Sequence, residues 1–374
     1  MYTRVFANLD TQMRENRVLI MYGPRRTGKT TLLQSYLKDC GKKYLLENGE
    51  NIHFSELLSS RDLSRIKNAL EGYDILAIDE AQAIPNIGIT LKLIIDHIPE
   101  CRVIATGSSS FRLSQQTGEP LTGRKRTITL FPLALVELKQ HFTNYELQQK
   151  LEELLIFGSY PEVVSAETRE MKIEMLQELV NSYLLKDILT YDNLRSSNTL
   201  VHLLKLLAFQ IGSEVSLNEL SRKLQIDVKT VSRYIDLLEK SYVIKRINGF
   251  SRNLRKEVTS KAKYYFLDNG IRNGIISQFG SLDSRDDQGA LFENFMIMER
   301  MKKQSYSSFY GNMYFWRTYS QQEIDYIETV DNNISAYELK FGRKVPKIPK
   351  AFKDAYPQAE YHVISRENYL DFVI

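Results

Sequence analysis

Residues 18–33 read Val-Leu-Ile-Met-Tyr-Gly-Pro-Arg-Arg-Thr-Gly-Lys-Thr-Thr-Leu-Leu: a short apolar run, a loop with two glycines and the start of a helix. From Gly23 to Thr30 the spacing is G-x-x-x-x-G-K-[ST], which a strand–loop–helix turn satisfies by wrapping backbone around a phosphate. Gly23 and Gly28 let successive N–H groups point inward. Lys29 reaches the β- and γ-phosphates, Thr30 offers a hydroxyl to Mg²⁺, and the helix presents its positive end. Gly23, Pro24, Arg25, Arg26, Thr27, Gly28, Lys29, Thr30 and Thr31 form the expected nucleotide cradle. A glycine loop that merely precedes a helix is the bland alternative. The apolar run before it and the helix after it favour a nucleoside triphosphate site.

Downstream segments fit a parallel sheet around that loop. Residues 43–47 read as a second strand, and 52–70 as a helix with Phe54, Leu57, Leu58, Leu63 and Ile66 on one face. Tyr73-Asp-Ile-Leu-Ala-Ile-Asp-Glu-Ala-Gln82 is a strand apolar on both faces. It ends in paired carboxylates at the edge where open α/β sheets bind ligands. Asp79 is read as the Mg²⁺ holder and Glu80 as the group that polarises the attacking water. A helix follows over 91–98, and then Arg102-Val-Ile-Ala-Thr-Gly-Ser-Ser-Ser110, a strand ending in hydroxyls. Thr106 and Ser108 are candidate γ-phosphate sensors, against the plainer reading of a turn. Arg124 is a candidate arginine finger, in cis or from a neighbouring copy, with Arg126 in reserve; a solvated basic turn accounts for the same residues. Residues 1–17 read as a polar lead-in helix.

A chain of 374 residues exceeds what one core accommodates. The net charge of +4 is too small to establish a polyanionic partner by itself. Cys40 and Cys101 stand apart, and with five scattered His they argue against structural zinc and for a reducing compartment. With neither a leader nor a run of about 18 apolar residues, a cytoplasmic protein without membrane attachment is expected.

Gly23-Pro-Arg-Arg-Thr-Gly-Lys-Thr30, Ile78-Asp-Glu-Ala-Gln82, Thr106-Gly-Ser-Ser-Ser110, Thr122-Gly-Arg124, Gly158-Ser-Tyr-Pro-Glu162 and Lys263-Tyr-Tyr-Phe-Leu-Asp-Asn-Gly-Ile271 resemble the uncharacterised prokaryotic AAA-type ATPases. In that group the ATPase is fused to a C-terminal domain of unknown function. The resemblance spans nearly the whole chain and implies ATP as the nucleotide. It leaves the use of the ATP open.

Residues 133–189 carry a helical pattern broken at Gly158-Ser-Tyr-Pro161, expected as a lid beside the nucleotide. Helices over 199–209, 217–224 and 228–240 follow, with a capping box at Ser216-Leu-Asn-Glu219 and Asp227 as an N-cap. This is helix-turn-helix spacing, leaving Lys229, Thr230, Ser232 and Arg233 outside. A wing is expected from strands 242–247 and 262–267, turning at Asn248-Gly249. Lys245, Arg246, Arg252, Arg255, Lys256 and Lys261 face one acid, Glu257, a stripe suited to phosphates. A winged helix that packs on protein and never touches DNA stands as the alternative.

The last hundred or so residues order as helix (290–302), strands (313–319, 323–330, 334–341), helix (347–356) and strand (360–365). This αβββαβ order is the core of the restriction-endonuclease-like, PD-(D/E)xK, fold. Period-two alternation puts Glu338 and Lys340 on one face. Asp325 lies on the neighbouring strand and Glu293 on the opening helix. Asp325 and Glu338 would bind Mg²⁺, and Lys340 would steady the water or the developing charge. A surface ion pair between Glu338 and Lys340 accounts for the same letters, and Ile324 stands where the motif's proline would be.

The expected architecture is therefore α/β: a P-loop AAA-type parallel sheet (1–132), a helical lid (133–190), a winged helix (191–275) and a nuclease-like domain (276–374). The expected cofactors are ATP and Mg²⁺. DNA is the favoured partner, with a protein partner and self-association as alternatives.

Overall fold

The computed structural model describes residues 2–107, 121–184, 197–251, 261–307, 309–342 and 345–374. Ser108, Arg252, Arg255 and Lys256 lie outside the described residues. The chain divides into two compact units, residues 1–132 with 240–242, and residues 133–239 with 243–374.

The first unit is a five-stranded parallel sheet. Its strands are β1 (Val18–Tyr22), β2 (Tyr44–Asn48), β3 (Ile75–Asp79), β4 (Arg102–Gly107) and β5 (Lys125–Thr129), in the order β2-β3-β4-β1-β5. Helices α1 (Lys29–Asp39), α2 (Ile52–Ser59), α3 (Leu63–Leu70) and α4 (Ile87–His97) connect them. β1 and β3 are buried along their whole length, as their continuous apolar runs require. One core gathers Val18, Ile20, Leu76, Ile78, Leu91 and Ile94. The single helix expected over 52–70 is two, because Asp62 accepts from Ser64 N and Arg65 N and starts a new one. The lead-in helix is absent. Residues 2–17 hold only a 3₁₀ turn, Leu9–Thr11, capped by Asn8.

The second unit begins with helices α5 (Leu135–Leu138), α6 (Asn144–Phe157), α7 (Pro161–Ser165) and α8 (Arg169–Glu178). The expected lid thus shares the core of the C-terminal half. Its lock is Asp268, which accepts from Ser159 N at 2.7 Å and caps a later helix at Ile271 N. A Cβ on Gly158 would stand 1.9 Å from that carboxylate, so only glycine fits.

There follow α9 (Ser197–Phe209), β6 (Glu214–Val215), α10 (Leu217–Leu224), α11 (Val228–Lys240), β7 (Ile244–Gly249), β8 (Ala262–Phe266) and α12 (Asn269–Ile275). Next come α13 (Gln288–Tyr306), β9 (Asn312–Arg317), β10 (Glu323–Val330), β11 (Asn333–Lys340), α14 (Lys350–Ala355), β12 (Glu360–Ser365) and α15 (Tyr369–Val373). The αβββαβ order read from the sequence is present, with β9, β10 and β11 antiparallel and β12 parallel to β11. Two expectations change. Asn248 and Gly249 do not turn but continue β7, opposite Tyr314 and Phe315 of β9. The hairpin and the C-terminal strands therefore form one seven-stranded sheet, β12-β11-β10-β9-β7-β8-β6, rather than two domains. No helix among the described residues is long and apolar enough to cross a membrane.

Candidate functional site

In the first unit β1 runs straight into the phosphate loop. Gly23 is obligatory, since a Cβ there would meet the Leu130 carbonyl at 2.1 Å where the chain leaves β5. Arg26 and Gly28 take left-handed backbone (φ 59° and 90°), which turns the amides around the loop before α1 begins at Lys29. Thr27 is fully buried and its hydroxyl donates to Pro24 O at 2.9 Å. Lys29 Nζ donates to Gly23 O at 3.0 Å and Pro24 O at 2.7 Å, which keeps the ammonium inside the loop. Thr31 sits exposed on the first turn of α1.

The loop faces the end of β3. Thr30 Oγ1 donates to Asp79 Oδ2 at 2.8 Å, and the Thr106 hydroxyl donates to Asp79 Oδ1. These oxygens fit Mg²⁺, a hard cation that takes hydroxyl and carboxylate ligands beside phosphates. Thr106, read as a candidate sensor, donates to Asp79 and also accepts from Glu80 N at 3.2 Å. Glu80 turns out of β3 in left-handed backbone (φ 50°), and its carboxylate accepts from the Gln82 amide.

Arg124 is not in reach of this site within its own chain. It precedes β5 at the opposite edge of the sheet, where Val18 N bonds its carbonyl, and its guanidinium pairs with Asp96 at 2.8 Å. A full strand length, roughly 15–20 Å, separates it from the loop. Arg126 bonds Gln12 at 2.7 Å. A residue that the motif does not contain does reach the loop. Arg4 is buried, with Nη1 donating to Thr27 O at 2.5 Å and Nη2 to Phe131 O at 2.7 Å. An arginine in a polar lead-in carries no periodic or spacing signal that would have exposed this role.

In the second unit the four residues read as nuclease-like do come together, through a bulge. Ile324 pairs with Trp316 but Ile327 with Tyr314, so β10 holds one residue more than β9. The bulge directs Asp325 toward β11, where Oδ2 accepts from Leu339 N at 2.8 Å and Lys340 Nζ at 3.4 Å. Lys340 also pairs with Glu338 Oε1 at 2.6 Å. Burial, and then the charge of Asp325, raise the Glu338 carboxyl above its usual range. Glu293 Oε1 accepts from Tyr265 Oη at 2.6 Å and from Lys263 Nζ at 3.1 Å. Burial lifts Glu293 to about 7, with Lys263 pulling the other way. The same Lys263 pairs with Glu323 at 2.5 Å. Burial opposes its charge, but Glu293, Glu323 and Asp325 outweigh that and its pKa is raised.

The oxygens assigned to Mg²⁺ thus face lysines and a backbone amide. No group of three His, Cys, Asp or Glu among the described residues is arranged to hold a metal ion. Lys263, in the strand that follows the basic stripe, is 1% exposed.

On α11 Lys229 and Arg233 are exposed. Thr230 is spent on the cap, its hydroxyl donating to Asp227 Oδ2 at 2.6 Å. A groove of about 370 Å³ between α11 and the β7–β8 strands is lined by Lys229, Arg233 and Arg246, but also by Asp236 and Glu239.

The parallel sheet, the phosphate loop and the Thr30–Asp79 pair give the first unit the fold of a P-loop nucleotide-binding domain. A family profile described as an AAA domain matches residues 15–139. Two profiles described as domains of unknown function, DUF8612 and DUF4143, match residues 148–281 and 288–371. An uncharacterized protein of Haemophilus influenzae is 24% identical over 353 residues, covering 87% of this chain and 82% of its own length. One of Methanocaldococcus jannaschii is 24% identical over 376 residues, covering 93% and 81%. Among solved structures, the Walker-type ATPase PabY2304 of Pyrococcus abyssi aligns with a TM-score of 0.50 at 15% identity, covering 72% of this chain and 93% of its own. That likeness concerns the fold.

Proposed function

We propose that this chain is a Mg²⁺-dependent ATPase whose nucleotide state governs engagement of DNA by its second unit. The observation that carries the enzymatic half is Thr30 Oγ1 at 2.8 Å from Asp79, with the Lys29 ammonium held inside the loop. ATP phosphates would take the loop amides and Lys29. Mg²⁺ would be held by Thr30 and Asp79 and would neutralise charge between the phosphates. Glu80 would orient the attacking water.

The DNA half rests on element order. Helix, short strand, two helices and two paired strands (α9 to β8) resembles the winged-helix arrangement, with exposed Lys229, Ser232 and Arg233 on the second helix of the pair. The strands beyond it follow the restriction-endonuclease-like order. Phosphate contacts of this kind are salt-sensitive, so Lys229→Ala with Arg233→Ala should lower the slope of log affinity against log salt by about 2.

Two observations favour a second reading, a slow switch that grips a protein. Glu80 is bonded by Gln82, and the groove beside α11 mixes acids with bases. Steady-state ATP hydrolysis with and without double- and single-stranded DNA separates the readings, with Glu80→Gln as control. Stimulation by DNA that vanishes in Glu80→Gln supports the first. A slow rate indifferent to DNA supports the second. A rate unchanged by Lys29→Ala refutes both.

A further inference from the structure

The carboxylate cluster of the second unit differs from a metal site in one residue that comes from outside the αβββαβ core. Lys263 lies in β8, between Ile247 of β7 on one side and Glu214 of β6 on the other. Ladders on both sides fix its Cα, and its side chain is 1% exposed. It cannot swing into solvent as a lysine at a strand end can. Its ammonium contacts Glu293 at 3.1 Å and Glu323 at 2.5 Å, and lies over the Phe315 ring. Arg317 approaches Glu323 from β9 at 3.7 Å, and Lys340 bridges Asp325 and Glu338.

We infer that Lys263 is the resident cation of this site and that the second unit recruits no divalent ion there. A buried ammonium is tolerated only while its carboxylates face it, and a buried carboxylate only while a cation faces it. Drawing Glu293 toward a metal would leave Lys263 buried with Glu323 as its one remaining contact carboxylate. Adding a dication without removing the lysine would crowd like charges in a dry cluster. The second oxygen of Glu338, buried with no hydrogen-bond partner, offers a metal one ligand atom. Chemistry that consumes a metal-bound water is therefore not what this cluster is arranged for. Its carboxylates serve to hold β8, β10, β11 and α13 in one piece.

This inference is independent of the nucleotide reading, and its test first silences the nucleotide's metal. Full-length protein carrying Asp79→Asn, without nucleotide, is titrated with Mn²⁺ and the free ion is counted by its paramagnetic signal. No stoichiometric uptake is expected. One ion per chain that disappears with Glu338→Gln overturns the inference. Lys263→Met in the same background is expected to gain Mn²⁺ affinity by at least about tenfold, because one positive charge leaves the cluster, and to lose it again with Glu338→Gln. A folded Lys263→Met protein that takes up no Mn²⁺ overturns the assignment of Lys263. Should that variant not fold, the parent still decides. Incubated with Mg²⁺ or Mn²⁺ and single- or double-stranded DNA, it leaves the DNA intact, and cleavage abolished by Asp325→Asn overturns the inference.

Discussion

Arg4 shows how much of a nucleotide site lies outside its motif. Its guanidinium ties the Thr27 carbonyl to that of Phe131, so the phosphate loop is bolted to the exit of β5. Arg4→Ala leaves buried carbonyls without donors and should cost about 2 kcal/mol or more of stability. ATP affinity, measured with a fluorescent analogue, should fall with it, and Arg4→Lys should restore part of the loss. Unchanged affinity in a folded Arg4→Ala protein would remove the loop role. Glu293 makes a second prediction at this scale. Its carboxyl is raised from 4.5 to about 7 by burial, so the native chain binds that proton more strongly than the unfolded chain. The stabilisation is complete below about pH 4.5 and is lost as the pH rises through about 7. Between pH 5 and 8 the parent protein should lose more stability than Glu293→Gln. Parallel pH curves for the two would show that the group does not titrate this way.

The elements divide by how local their determinants are. β1 and β3 were legible because apolar runs ending in Gly23 and in Asp79-Glu80 name both the strand and its edge. The order from α13 to β12 was legible from alternation, and so was the shared face of Glu338 and Lys340. The join between β7 and β9 was not. Asn248-Gly249 carries the chemistry of a turn, and its pairing with Tyr314 and Phe315 is set by residues far along the chain. Lys263 was hidden for the same reason. A lysine beside a basic run gives no sign of burial, and the carboxylates it meets, Glu293 and Glu323, are distant in sequence. The break at Asp62 was written in its capping chemistry but masked by apolar spacing that runs across it. Because β7 and β9 share a ladder, amide exchange should protect β7, β8, β9 and β10 as one cooperative block. Protection of β7 and β8 that collapses while β9 to β11 remain closed would divide the sheet where the sequence suggested.

At the scale of the molecule, two compact units predict two thermal transitions. Mg²⁺-ATP at about a hundred times its dissociation constant adds about 2.7 kcal/mol to whatever binds it. In Glu80→Gln, in which turnover is expected to stop, the nucleotide should therefore raise one calorimetric transition and leave the other in place. A single transition that moves as a whole would mean the units unfold together. The Gly158–Asp268 contact also sets an order of events at the ribosome. The sheet strands of the first unit have all been made by residue 129. Ser159, by contrast, waits for Asp268 across 109 residues, roughly 5–20 s at usual rates of synthesis. For that interval the apolar faces of α6 and α8 lack the helix that covers them. The newborn chain is a nucleotide-binding sheet with its strands complete, trailing sticky helices, the kind of client that holding chaperones receive.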